Sequence, residues 1–260
     1  MTGDYGRAEQ MIKRPISVSF IVPALNEEDV ISSVIHEIWS TVSPRLATFE
    51  IILIDDGSTD GTGRIMDQLA VDLPFVSTVH NGTNIGLGAA YTAGVKHAKH
   101  DYVMMLCGDG GLPAASLPPI IEKIGAADIV VPYMKNLKRI KTPSRFLLSR
   151  AYTKLLNFVF GFHLRYYNGL PVHRRALLRK IEIRSSGFGF QGEVLIKLLK
   201  SGATYAEVGV LGAEKTNRSA ALKPRNLVSV AATFLRLLNE LKSYQPVDVS
   251  LTPSAAAPND

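Results

Sequence analysis

Along its first half this chain repeats one plan: an apolar run, then a polar loop rich in glycine or acid, then a helix-like stretch. "SVSFIVPALNEEDV" opens it. Ser17 to Val22 is β-rich, Pro23 is expected to stop the strand, and Asn26 to cap a helix whose first turn holds Glu27, Glu28 and Asp29. "FEIILIDDGSTDGT" places a buried strand over Phe49 to Ile54 and a helix from about Thr62. "FVSTVHNGTNIGLGAAYTAGVKHA" is a third unit, "DYVMMLCGDGG" a fourth strand and "ADIVVPY" a fifth. Apolar strands alternating with helices predict an α/β fold, with a mostly parallel sheet covered on both faces. Ligands of such sheets bind beyond the C-terminal ends of the strands. The polar loops all lie at those ends, so they are expected to converge on one crevice.

The pattern changes after residue 135. "SRFLLSRAYTKLLNFVFGFHL" has apolar residues near helical spacing, with basic residues along one edge. "YYNGLPVHRRALL" reads as a turn or short strand leading into a helix. "GFGFQGEVLIKLLKSG" reads as a helix stopped by Gly202, "ATYAEVGVL" as a strand, and "PRNLVSVAATFLRLLNELKS" as a last amphipathic helix. The expected organisation is a flexible start over 1–14, one domain over 15–243 and a disordered tail over 244–260. Within the domain, a nucleotide-binding half is expected over about 15–132 and an acceptor half over about 133–243.

Composition narrows the function classes. The single cysteine, Cys107, excludes an internal disulfide and fits a reducing compartment. No run of about 18 apolar residues predicts a spanning helix, and the first ten residues lack a signal-peptide core. A cytoplasmic protein is expected, at the membrane surface if its partner is a lipid. Between Ile129 and Ile181 stand twelve Lys or Arg and no Asp or Glu. That surface suits an anion: a nucleotide, a phospholipid or a polyprenyl phosphate. The aromatics there follow helical spacing with leucines, not a base-stacking pattern, which argues against nucleic acid.

The most specific stretch is "DDGSTDGT". Asp55 and Asp56 stand at a strand end, where paired carboxylates can accept hydrogen bonds from a base or ribose, or hold a divalent ion. Asp56, Ser58, Asp60, Gly61 and Asp67 also fall on calcium-loop spacing, but a strand rather than a helix precedes them. "NIGLGAAYTAG" sets Gly86 and Gly88 before a helix, yet Tyr91 stands where a dinucleotide fingerprint wants glycine or alanine. No serine-nucleophile motif, metal-spaced histidine pair or P-loop occurs, and the six scattered histidines are expected at the surface or as caps.

Taken together, "IVPALNEE", "ILIDDGSTDGT", "NIGLGAAYTAG" and "SSGFGFQGEVLIKLLKSGATYAEV" resemble the family 2 inverting glycosyltransferases, over about residues 16 to 242. Within that family they resemble the dolichyl- or polyprenyl-phosphate mannose synthase branch. The resemblance implies a GT-A fold and a nucleotide-diphosphate sugar as donor. It implies Pro23, Ala24, Asn26 and Glu27 at the nucleotide pocket, Asp56 on the base or ribose with Asp55 beside it, and Gly86 and Gly88 bordering the donor. Gln191 and Glu193 would lie near the transferred sugar or acceptor. The family carries D-x-D after the fourth strand. Here Gly108 and Gly110 are read as its outer positions, leaving Asp109 as the one carboxylate for a divalent cation (Mg or Mn) or for the donor. Lys135 is the nearest basic residue after the fifth strand. Arg174, in the segment matching the family's arginine motif, is expected to bind acceptor phosphate, as is Lys215 or Arg218.

The implied chemistry is a single displacement with inversion, onto a polyprenyl phosphate or a glycolipid acceptor at the membrane periphery. A phosphate acceptor is already an anion and needs no strong base. A saccharide hydroxyl would need one, from Asp109 or Glu193. A sugar-nucleotide binder without activity is the alternative that the altered D-x-D raises. A nucleotidyltransferase-like or dehydrogenase α/β protein would want a Gly-rich loop after the first strand, where this chain has "PALNEE".

Overall fold

The computed structural model describes residues 13–213 and 224–240. Most of the expected flexible start, the expected disordered tail, and Lys215 and Arg218 lie outside the described residues. The described strands form one seven-stranded sheet, β1 (Arg14–Ala24), β2 (Leu46–Asp55), β3 (Val76–His80), β4 (Tyr102–Met105), β5 (Ile129–Met134), β6 (Val172–Arg174) and β7 (Tyr205–Val210), in the order β3-β2-β1-β4-β6-β5-β7. Every neighbouring pair is parallel except those of β6, which runs antiparallel between β4 and β5. The expected α/β sheet is thus present, mostly parallel, with one reversed strand.

Nine helices are described: α1 (Ile31–Val42), α2 (Thr62–Asp72), α3 (Leu87–His97), α4 (Leu117–Lys123), α5 (Leu137–Ile140), α6 (Pro143–Phe160), α7 (Arg175–Leu178), α8 (Phe190–Lys200) and α9 (Pro224–Glu240). Right-handed crossovers put α1 and α2 on one face of the sheet and α3 on the other. With both faces covered, β1 is buried without a break from Val18 to Ala24, and Ile51 to Ile54 of β2 have no exposed surface. That is why these strands read as continuous apolar runs rather than alternating ones. Gly94 lets α3 lie directly on Ile21 of β1. At the other end of the chain, Gly202 ends α8 in the left-handed region at φ 89°, its N–H and that of Ala203 returning to Leu199 and Leu198.

Two local expectations are corrected. Pro23 does not stop β1, which continues to Ala24. Its carbonyl accepts from Gly108 N–H, on the β4 side, where the β1–β4 ladder has already ended at Ile21 and Met105. The missing proline N–H therefore faces no ladder partner. Asn26 does not cap α1 either. That helix starts at Ile31 with no side-chain cap and no acid in its first turn. Asn26 sits in the left-handed region at φ 56° and uses its side chain elsewhere.

From β1 the chain steps outward to β2 and β3, then returns to place β4 on the other side of β1. The switch point of this open sheet is therefore the gap between the C-terminal ends of β1 and β4, where such sheets bind ligands.

Candidate active site

Four loops meet at that edge. Asp56 N–H donates to Ala24 carbonyl, Asn81 N–H to Asp55 carbonyl, and Gly108 N–H to Pro23 carbonyl. The motifs after β1, β2, β3 and β4 are thus bonded side by side. The β1 and β2 loops are also joined through side chains. Asn26 Oδ1 accepts from Thr59 N–H at 2.8 Å, Glu27 N–H donates to Thr62 Oγ1 at 2.8 Å, and Glu28 Oε2 accepts from Gly61 N–H at 2.6 Å. The Asn26 side chain, the Glu27 N–H and the Glu28 carboxylate instead clamp "GSTDGT".

The paired carboxylates divide their work. Asp56 is buried and takes three donors from the next loop: Asn81 Nδ2 at 3.1 Å and Ile85 N–H at 3.0 Å on Oδ1, and Gly86 N–H at 3.0 Å on Oδ2. Asp55 turns toward β3, where His80 Nδ1 lies 3.1 Å from Oδ2, while Oδ1 accepts from Ser58 N–H. His80 Nε2 reaches Asp67 on α2 at 2.9 Å. Burial raises the Asp55 carboxyl, but the hydrogen bonds from Ser58 and His80 outweigh it and hold it below the usual range. Asp67 and Asp55 together raise His80 against the opposing effect of burial. His80 is exposed, as expected of the scattered histidines, but sequence reasoning missed the clasp it forms between Asp55 and Asp67. The available signal was "VHN" at a third strand end, beside the paired acids. His173 does depart from the surface expectation, being buried in β6 and pushed down to about 3 by burial.

The loop after β4 corrects the D-x-D register. A Cβ on Gly108 would stand 2.8 Å from Ala24 Cβ and 3.1 Å from Pro23 carbonyl, so position 108 faces inward and has no room for a carboxylate. The residues flanking it, Cys107 and Asp109, therefore occupy the outer positions, and Asp109 is the second of the two. Asp109 is exposed, with Oδ1 accepting from Gly111 N–H at 2.9 Å. No group of three metal-ligating side chains occurs among the described residues. One hard carboxylate on an open loop fits a Mg- or Mn-type ion that takes its remaining ligands from a diphosphate and water, and does not fit a closed protein cage.

Gly86 precedes α3, in the left-handed region at φ 94°, and Gly88 lies in the helix's first turn. A Cβ at either would run into the backbone of Ser185 and Ser186. Both glycines thus seat the segment before α8, and Gly86 also donates its N–H to Asp56. α8 starts beside it, Phe190 stacking on Tyr91 with ring centroids 5.1 Å apart. Gln191 is buried in the first turn, and its Oε1 has no partner among the described residues.

Two expected site residues are reassigned. Glu193 has no exposed surface. Its Oε1 accepts from Lys197 Nζ at 2.6 Å and Arg184 N–H at 3.0 Å, its Oε2 from Ser185 N–H at 2.8 Å and Arg236 Nη2 at 3.0 Å. Burial raises this carboxyl, yet the Lys197 and Ser185 hydrogen bonds outweigh it and hold it below its usual range. It is a committed ion-pair partner and not a free base. Arg174 lies opposite Tyr102, the first residue of β4, and its Nε stands 3.3 Å from Asp128 Oδ1. Because β6 runs antiparallel, this end of it lies at the sheet edge away from the crevice, and Arg174 cannot meet an acceptor there.

Lys135 does follow the end of β5, its N–H donating to Val210 carbonyl. It lines a cavity of about 470 Å³ between the β5 end and α6, with Lys138, Arg150, Lys154 and Arg165 and no carboxylate in the wall. α6 also turns apolar residues outward. Leu147, Leu155 and Phe158 are 69%, 45% and 88% exposed at helical spacing, with Leu148 beside them. α9 does the same with Val228 and Leu235, and Phe160 against Phe234 sets the two helices side by side. No described helix is long and apolar enough to cross a membrane.

Comparison with known proteins agrees with this architecture. An undecaprenyl-phosphate mannosyltransferase of Micrococcus luteus is 28% identical over 205 residues, 75% of this chain and 83% of that protein. A polyprenol monophosphomannose synthase of Mycolicibacterium smegmatis is 27% identical over 207 residues, 75% of this chain and 77% of its own. Among solved structures, mannosyl-3-phosphoglycerate synthase from Rubrobacter xylanophilus superposes with a TM-score of 0.68 at 19% identity, over 92% of this chain and 79% of that one. Glucosyl-3-phosphoglycerate synthase from Mycobacterium tuberculosis, in complex with uridine diphosphate, gives a TM-score of 0.66 at 20% identity, over 86% and 80%. The latter enzyme has also been solved with Mg²⁺ or Mn²⁺ beside uridine diphosphate. These two likenesses show the fold, GT-A. The family model for glycosyl transferase family 2 matches residues 19–181, the span that builds the crevice, and the chain belongs to that family.

Proposed function

We propose that this protein moves a sugar from a nucleotide-diphosphate sugar to a polyprenyl phosphate at a membrane surface, with inversion at the anomeric carbon. One observation carries the choice of acceptor. The cavity at the β5 end is walled by five cations and no acid, beneath a helix whose outer face is apolar. A phosphate joined to a hydrocarbon chain needs both features, and the Micrococcus and Mycolicibacterium relatives above are named for undecaprenyl phosphate and a polyprenol. α6 and α9 would rest their apolar stripes in the interface.

In the displacement, an acceptor phosphate oxygen forms the bond to the anomeric carbon as the bond to the diphosphate oxygen breaks. Pro23, Ala24, Asn26, Glu27, Asp55 and Asp56 would shape the nucleotide pocket, Asp56 by holding the loop that ends at Gly86. Gln191 would give its unpartnered oxygen to a sugar hydroxyl. Lys135 and its basic neighbours would hold the acceptor phosphate against the electrostatic repulsion of the leaving diphosphate. Asp109 and the donor's own phosphates would hold a divalent cation, which supplies charge neutralisation to the diphosphate. A hydroxyl acceptor fits less well. It would need a base, and of the two candidates Glu193 is committed to its ion pairs, leaving the exposed Asp109.

The test is transfer from radiolabelled UDP- and GDP-sugars to polyprenyl phosphate in detergent, with and without chelator. Label is expected in the organic phase, and chelator is expected to lower it. Label that stays in water for every donor would sink the lipid acceptor. Nucleotide binding without any transfer would favour a sugar-nucleotide binder.

A further inference from the structure

The segment Ser185–Gly189 is pressed between two helices distant in sequence. On one side Ser186 carbonyl accepts from Gly88 N–H at 2.7 Å, and a Cβ on Gly86 would stand 2.6 Å from the same oxygen. On the other side lies α9. A Cβ on Gly187 would meet Ser229 Oγ, and one on Gly189 would meet Thr233 Oγ1, each at 2.6 Å. Ser185 Oγ lies 3.0 Å from Thr233 Oγ1 and accepts from Arg236 Nη2 at 2.6 Å. Glycines on both sides thus permit a three-layer stack, from α9 through this segment to the start of α3.

A charge cluster locks the stack. Glu193 accepts from the N–H groups of Arg184 and Ser185, so its carboxylate fixes the course of the segment. That carboxylate is held from α8 by Lys197 and from α9 by Arg236. Glu240 closes the circuit, with Lys197 at 3.2 Å, Arg184 at 3.0 Å and Arg236 Nε at 3.6 Å. Arg236 is the side chain that touches both Glu193 and Ser185 from α9.

We propose that Arg236 is a positioning residue for the nucleotide pocket, acting through Ser185–Gly189 on Gly86 and hence on the loop that Asp56 holds. The proposal rests on the reading above that Asp56 and Gly86 border the donor. No contact between Arg236 and the nucleotide is involved. Withdrawing Arg236 frees Glu193 and Ser185 on the α9 side, and the α3 start loses its fixed backing.

Calorimetric titration of UDP and GDP, each with Mn²⁺, into the full chain tests it. The wild type is expected to bind one of them. Arg236→Gln is expected to bind that nucleotide about tenfold more weakly, at a temperature where circular dichroism shows it folded. Arg236→Lys keeps a cation opposite Glu193 and is expected to recover most of the loss. Lys200→Gln is the control: it lies exposed at the far end of α8, over the Phe162 ring and outside the cluster, so its dissociation constant is expected to match wild type. If Arg236→Gln melts lower but binds as wild type does, the role is only structural and the proposal is overturned. Should Arg236→Gln fail to fold, Thr233→Val removes the neighbouring contact to Ser185, and unchanged binding there overturns it equally. A wild type that binds neither nucleotide instead refutes the donor reading on which the proposal rests.

Discussion

Gln191 is a side chain whose cost to the fold and use to the site point in opposite directions. Its buried Oε1 lacks a partner among the described residues, and an unmet buried acceptor costs on the order of 1–3 kcal/mol. Gln191→Leu is therefore expected to melt at or above the wild-type temperature while kcat/KM falls about tenfold, the size of one lost hydrogen bond to a reacting sugar. Thermal melts and the transfer assay read the two effects separately. A less stable variant with full turnover would mean the amide serves only packing. His80 makes a second residue-level prediction, this time in pH. Its neighbours Asp67 and Asp55 raise it above 6.5 in the folded state. The clasp's contribution is fully present below the unfolded value and is lost as pH rises through the raised folded one. Asp55 and Asp67, both held low, add stability above their unfolded values that fades only in acid. The melting-temperature gap between wild type and His80→Gln should thus be widest near pH 6 and shrink as the pH rises through the raised folded value. A gap that is flat or grows with pH would show that the imidazole is not a cation in that clasp.

At the scale of elements, the loop after β4 shows what sequence can and cannot supply. The strand–loop–helix units were legible because their periodicity is local: Thr62 begins α2 and Gly202 ends α8 as the residues themselves dictate. What was misread depends on contacts across the sheet. Nothing near Gly108 in sequence announces that Ala24 closes over it, yet that contact shifts the D-x-D register by one residue. Likewise, Arg174 looks like a phosphate ligand until β6 is seen to run backwards. Glu193 looks like a base until Arg236, from a helix about forty residues later, is seen on it. The corrected register makes its own prediction. Cys107→Asp is expected to restore the outer carboxylate and strengthen the Mn²⁺-dependent thermal shift given by nucleotide. Gly108→Ala is expected to destabilise by about 1–3 kcal/mol, as overpacking does, without improving metal response. If Cys107→Asp leaves the Mn²⁺ response unchanged, positions 107 and 109 do not face the same ligand.

For the whole molecule, the uneven charge becomes meaningful once the helices are placed. The net charge is +6, and the acid-free stretch from Ile129 to Ile181 supplies β5, α6 and the wall of the basic cavity. The exposed stripes of α6 and α9 belong to neighbouring helices, so apolar and cationic surface lie together. Such a surface is expected to bind vesicles containing anionic lipid, each basic residue near the headgroups adding about 1 kcal/mol. Binding should weaken as salt shortens the screening length from about 10 Å at 0.1 M to about 3 Å at 1 M. Replacing Leu147 and Phe158 by Glu removes two apolar anchors, each contributing about 1.5–3 kcal/mol when fully buried. Partitioning in a sedimentation assay should then fall at least tenfold with the melting temperature nearly unchanged, since both side chains already face solvent. Val71→Glu is the matched control, an apolar residue 80% exposed on α2, outside the α6–α9 surface, and it should leave partitioning as it was. Equal losses in both variants would mean that added negative charge alone repels the protein from the vesicle. Loss confined to the α6 variant would mark that helix as the face that meets the lipid, with the basic cavity opening beside it.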